Sequence, residues 1–262
     1  MATVLCMALL YVIIVLWDIN LRDPRYLDGW LLAGFMLAQL TYHVRRGDRG
    51  RTFVTAARWM KLHIYTGYLV VALFLVHTQF RLPNSFIEWV LWILFVVTAV
   101  SGVVGAYLSA TVPVRLDLHR QGMDFDSIPR VRQRLAAEAS ELAEAAAQSP
   151  QLHAVAQFYK STLYDFLARP RDLLAHIRHS PRPLQIMTQM VDTLESGVTA
   201  EAQDAIRKIR QLVATKAYLD FQYAQQLLLQ AWLFVHVPAT YGLIVASVLH
   251  VAHTYAFTTG VP

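Results

Sequence analysis

The sequence predicts an all-α protein: a polytopic transmembrane helix bundle of about five spans, carrying a helical insertion on its cytoplasmic side. Three observations lead there. Of 262 residues, 56% are hydrophobic and only 16% are charged, against about 25% charged in an ordinary soluble domain. The charges are not thinned evenly; they are missing from whole segments, as membrane-spanning helices require. Between those segments the pattern is helical, and no run alternates as a strand does.

Taken in order, the apolar segments cover residues 2–17, 30–44, 61–80, 86–110 and 228–257. The first two are short against the ~17–25 residues a spanning helix needs. Segment 2–17 has neither a basic n-region nor a clear small-residue cleavage site, so a retained helix is expected rather than a signal peptide. The domain organisation that follows is residues 1–111 as the first four spans, 112–224 as the insertion and 225–262 as the last span.

Loop charges give the expected orientation. Arg45, Arg46, Arg49, Arg51, Arg58 and Lys61 face a single acid, Asp48, in residues 45–61. The preceding loop carries Arg22 and Arg25 against Asp18, Asp23 and Asp28, and the loop at 81–88 only Arg81 and Glu88. By the positive-inside rule, 45–61 is cytoplasmic and the other two loops lie outside. The amino terminus and insertion are then cytoplasmic and the carboxyl terminus outside, in a multi-pass protein of the cell's inner (cytoplasmic) membrane. Trp17, Trp30 and Trp89 would form an outer aromatic belt, and Trp59 and Trp232 an inner one. The net charge of +5 is accounted for by this topology signal, without a nucleic-acid partner.

The insertion is close to charge-balanced and reads as helices over 130–148, 153–168, 183–195 and from 199 onward, punctuated by Pro129, Pro150, Pro170, Pro181 and Pro183. Ala136–Ala147 is rich in Ala and Glu, strong helix formers. No breaker follows Thr199 until Pro238, so the last helix is expected to run unbroken from the insertion into the final span. No G-x-G-x-x-G, phosphate loop or dense basic run occurs. The apolar residues Phe158, Tyr164, Phe166, Met187 and Met190 are mostly expected to form the insertion's own core.

Two histidine pairs carry the chemistry. His63 and His77 lie 14 residues apart in one span, and His236 and His250 lie 14 apart in another. On a helix that spacing is a rise of roughly 21 Å, with both side chains within about 40° of one face. Segments three and five run parallel in the expected topology, so His63 pairs with His236 near the cytoplasmic face and His77 with His250 near the outer one. Histidines roughly 21 Å apart on one helix cannot share a zinc ion. Each cross-helix pair can instead hold one heme iron from both sides. Cys6 is the only cysteine, which excludes a covalent C-x-x-C-H heme, a cysteine-ligated cluster and an intrachain disulfide.

The competing histidines fit less well. His253 lies 17 residues from His236 and turns about 100° off its face, so it is read as an interfacial residue near a propionate or a quinone. His43, beside Tyr42 and Arg45, is read as an interfacial anchor. His119, His153, His176 and His179 belong to the insertion, where His176 and His179 form only a weak i, i+3 metal hint. Gly67 and Gly242, with Gly102 and Gly105, are small residues that either admit a porphyrin or serve ordinary helix packing. Arg58, Lys61 and Arg81 are candidate propionate partners, solvated interface charge being the alternative. Pro238 is expected to kink the last span beside His236.

The two 14-residue histidine pairs on parallel helices resemble the four-helix heme core of cytochrome b in the quinol–cytochrome c reductases, and also the transmembrane ferric-reductase/NADPH-oxidase domain. The resemblance covers roughly residues 58–110 and 225–257 and implies two low-spin b hemes, at His63/His236 and His77/His250. The chain departs from both families. It has no Pro-Glu-x-Tyr quinol motif, no flavin or nicotinamide domain follows the last span, and the insertion has no counterpart in either. The expectation is therefore a diheme b-type cytochrome subunit of a larger oxidoreductase. It would move electrons between a quinone pool or cytoplasmic donor and a cytochrome c or iron–sulfur protein on the outer face, rather than act as a stand-alone enzyme. A heme-free membrane anchor and a ferric-reductase-like module are the alternatives.

Overall fold

The computed structural model describes residues 2–19, 24–45, 56–117, 127–195 and 202–258, with side chains over 7–15, 27–40, 58–112, 127–195 and 202–257. The expectations resting on Cys6, Trp17, His43, His119 and the arginines at 45, 46, 49 and 51 concern side chains outside these. The described residues contain helices and turns and no strand. They divide into two units, one formed by Met1–Leu108 with Trp232–Pro262 and the other by Ser109–Ala231.

The first unit draws on five helices: α1 (Ala2–Ile19), α2 (Pro24–Arg45), α3 (Ala56–His77), α4 (Phe86–Asp117) and the end of the last helix, α10 (Gln203–Thr258). Among the described residues, three helices are long and apolar enough to cross a membrane: α3 over Arg58–His77, α4 over Phe86–Val112, and α10. Five spans were expected. In α2 the described side chains form a shorter apolar helix, Leu27–Leu40. Ile14, Leu32, Leu69, Val70, Leu73, Phe95 and Leu243 form a thin core. Val100, Val103, Phe234, Val245, Val248 and Leu249 instead point outward on α4 and α10. Such wide apolar exposure suits a hydrocarbon solvent and not water.

The second unit builds an ordinary buried core. After α4, the chain forms α5 (Ile128–Ala147), a 3-10 turn at Pro150–Leu152, α6 (His153–Phe158), a π-helical turn at Tyr159–Leu163, α7 (Tyr164–Ala168), α8 (Leu173–Ile177) and α9 (Arg182–Glu195). Helix α5 lays Ile128, Leu135, Ala139 and Ala146 onto Leu163, Leu167, Val191, Ile206 and Val213. Phe166 and Met187 are buried as expected, whereas Tyr164 and Met190 are exposed. A fully buried ion pair crosses one turn of α10, where Lys216 Nζ lies 2.6 Å from Asp220 Oδ2 and also donates to the Arg169 carbonyl at 3.1 Å.

Helix α10 is continuous for 56 residues and holds Pro238 inside it. The absence of a breaker after Thr199 thus translates into one helix, which Pro238 does not end.

Candidate functional site

His77 is the last residue of α3. The chain leaves the helix there because Gln79 and Phe80 adopt left-handed backbone angles, φ 52° and 58°. This turn places Arg81 and Leu82 at the rim of a cavity of ≈ 550 Å³ in the first unit. That volume lies within the roughly 300–1,000 Å³ range of small-molecule and cofactor sites. Both His77 and His250 line it, together with Phe74, Phe95, Trp92 and Leu243. Phe74 and Phe95 stack, their ring centroids 3.7 Å apart. Glu88 and Asn84 join Arg81 on the polar side. Trp30 donates from Nε1 to the Tyr255 hydroxyl at 3.1 Å, tying α2 to α10 beside the cavity.

Asp28 sits behind His77. Its Oδ1 lies 2.7 Å from His77 Nδ1, and the residue is only 3% exposed. Gly29 provides the space, since a β-carbon there would stand 3.1 Å from His77 Cε1. A carboxylate can only accept from the imidazole, so the Nδ1 proton points at Asp28 and Nε2 keeps its lone pair. This is the arrangement in which a histidine binds a metal through Nε2.

His236 is held in an equivalent way. Its Nδ1 lies 2.9 Å from Ser101 Oγ, and that hydroxyl donates to the Thr98 carbonyl at 3.0 Å. When the hydroxyl proton is on the Thr98 carbonyl, the hydroxyl accepts from Nδ1–H of the imidazole, the tautomer whose Nε2 carries the lone pair. Trp232 stacks on the His236 ring at 5.4 Å and donates to the Ser101 carbonyl at 2.7 Å. Gly102 lies against His236 Cε1, and a β-carbon on Gly105 would overlap the Trp232 ring. The glycines of α4 therefore seat this Trp–His pair.

The other expected site residues fall as follows. His63 is half-buried on α3, with Gln39 Nε2 donating to its carbonyl at 3.1 Å. Neither His63 nor His236 lines the cavity shared by His77 and His250. A β-carbon on Gly67 would meet Gln39 of α2, and one on Gly242 would meet Leu94 of α4. Arg81 lines the cavity, whereas Arg58 is exposed elsewhere on α3. His253 is exposed and lies against Phe257, with ring centroids 4.7 Å apart. In the second unit His176 is buried, and His179 instead meets the Phe221 ring. Among the described residues, no three His, Cys, Asp or Glu side chains are grouped to hold a metal ion.

Sequence reasoning missed Asp28, Gly29 and Ser101. Asp28 was counted as a loop acid, yet it lies inside α2 one residue from Gly29 and, by burial, in the protein interior. Comparison with protein-family models, curated proteins and solved structures gave no match.

Proposed function

We propose that this protein is a diheme b-type cytochrome subunit, which passes single electrons across a membrane as part of a larger oxidoreductase. One observation carries the reading. His77 and His250, from helices distant in sequence, face one apolar cavity, and His77 is fixed through Nδ1 by a buried carboxylate. The residues present fit the group: two imidazoles from different helices, an aromatic lining, and the cation Arg81. His77 and His250 would hold one heme, and His63 and His236 the other. A bound heme supplies a reversible one-electron couple at its iron.

The chain's own residues do the rest. Asp28 and Ser101 set the ring orientation and the tautomer of His77 and His236. Phe74, Phe95 and Trp92 line the cavity with apolar rings, and Arg81 on the same lining would pair with a propionate. In this reading α1 and α2 complete a five-helix bundle around the three longer spans. The insertion lies on the cytoplasmic side, and the exposed Tyr164, Leu174 and Met190 of the insertion serve partner contact. Partners are one-electron carriers or a quinone at the two ends.

The test is a reduced-minus-oxidised spectrum of the purified full chain, with heme extraction by acid acetone. Two non-covalent b hemes per chain are expected. One or none in fully loaded protein would refute the diheme reading, and none would favour the heme-free anchor. Protease and terminal-tag accessibility in oriented vesicles tests the sidedness: the insertion should be cut from the cytoplasmic side only.

A further inference from the structure

We propose that Arg132, in the second unit, anchors a binding site for the phosphate of an anionic phospholipid. The site is independent of the heme reading and needs only the membrane one. Arg132 lies on α5 and is half-buried. Its Nε and Nη2 are enclosed, and neither has a hydrogen-bond acceptor. Those two nitrogens share one edge of the guanidinium, the fork that grips two oxygens of a carboxylate or phosphate. Nη1 is not enclosed with them, so the group is reached from the surface. A buried charged donor left unpaired is costly, and it calls for an acceptor.

Among the described residues, the unit supplies no acid for it. One turn away on α5 stand Ile128, Pro129, Leu135 and Ala136. Lys216, which is close enough to feel the charges of Arg132 and Arg171, holds Asp220 at 2.6 Å. Arg171 holds Asp165 at 2.6 Å. Arg132 instead lies over the Tyr223 ring, 5.7 Å from its centroid, a contact that steadies a cation without neutralising it. Two features name the ligand. Helix α5 opens with Arg130, Arg132 and Arg134 and has no acid in its first turn, so three cations sit at the positive end of the helix dipole, where an anion is favoured. Tyr223 stands four residues before Leu227, which opens a run without Asp, Glu, Lys or Arg to the end of the chain. Four residues rise about 6 Å, and the headgroup layer is about 5–8 Å deep on each side of the hydrocarbon core. The ring beneath Arg132 therefore lies at the depth of lipid phosphates.

The experiment titrates the full chain in detergent with phosphatidylglycerol and, separately, phosphatidylcholine, and reads bound lipid by native mass spectrometry. Phosphatidylglycerol should bind the wild type more tightly than phosphatidylcholine. Arg132→Met should weaken phosphatidylglycerol binding roughly tenfold or more. Arg132→Lys, which keeps the charge and loses the fork, should recover only part of it. In lipid-free detergent the insertion of Arg132→Met should resist protease as well as wild type, because an unpaired buried cation has been removed. A drop in that resistance would mean that Arg132 holds the fold, and would overturn the proposal. So would unchanged lipid binding in Arg132→Met, or no preference for phosphatidylglycerol in the wild type. Displacement of the lipid by an equal concentration of inorganic phosphate would give the site to a soluble phosphate and overturn the lipid as its source. A protein subunit whose co-purification depends on Arg132, while lipid binding does not, would give the fork to that partner's carboxylate and overturn it as well.

Discussion

Replacing Gly29 with valine tests the support behind His77. A β-carbon at Gly29 would stand 3.1 Å from His77 Cε1 and 3.5 Å from its Nδ1. Alanine alone would need the ring to yield by a few tenths of an ångström, and the branched carbons of valine need more. The ring is tethered by a 2.7 Å bond to Asp28, so moving it lengthens that bond or breaks it. A hydrogen bond to a charged group contributes roughly 1.5–3 kcal/mol. If that is lost from the ligated state, heme affinity at this centre falls roughly 10- to 150-fold, in line with the 10–100-fold typical of lost support behind a metal ligand. The assay is transfer of heme from the loaded chain to an excess of a scavenging apoprotein, read as two kinetic phases. In Gly29→Val one phase should accelerate by that factor and the other stay put. Gly34, one and a half turns along α2, has nothing within 4 Å of an added β-carbon, so Gly34→Val should behave as wild type. Equal acceleration of both phases, or the same effect from Gly34→Val, would refute the reasoning.

Other substitutions probe the pairing and the second unit. His63→Ala and His236→Ala should abolish the same heme and His77→Ala and His250→Ala the other, whereas His253→Ala should leave two low-spin signals in electron paramagnetic resonance. Lys216→Met strands Asp220, which is 1% exposed in its side chain, and should destabilise the insertion by about 3–5 kcal/mol in urea-dependent proteolysis; the Lys216→Met, Asp220→Leu double variant should regain most of it. Burial holds the pKa of His176 below its ordinary value, with Lys216 adding to the depression and Asp220 and Asp172 opposing it. The unfolded chain then binds the extra proton first, so stability conferred by neutral His176 is present above about pH 6.5 and is lost as pH falls below it. The same proteolysis assay at about pH 7.5 and about pH 5.5 should show a drop that His176→Gln abolishes.

The sequence made some of this legible because the relevant signals are local. Charge-free runs mark α3, α4 and the end of α10, and the lack of any breaker from Thr199 to Pro238 marks one long helix. Spacing alone separated His250 from His253, since helical phase is fixed by residue count, and the structure puts only His250 on the cavity. What stayed hidden depends on tertiary neighbours. Asp28 looks like any acid at a span's edge until α2 is laid beside α3. Gly67 and Gly242 look the same in sequence whatever they face, and only the fold shows Leu94 beside Gly242. Helix α8 is five residues long, too short for apolar periodicity to register between Pro170 and Pro181.

The order in which the site is synthesised also matters. The unit that holds the cavity is assembled from two stretches, Met1–Leu108 and Trp232–Pro262, and His250 leaves the ribosome about 170 residues after His77. At about 5–20 residues per second, His77 waits roughly 10–35 s for its opposite number. Asp28, by contrast, is already made when His77 emerges. The 2.7 Å contact between them needs nothing from the second stretch, so the nascent chain can park an imidazole at the membrane with its polar nitrogen satisfied. If the proposed function holds, cofactor loading at that centre belongs to the period after translation, once the carboxyl-terminal helix that carries His250 has been made.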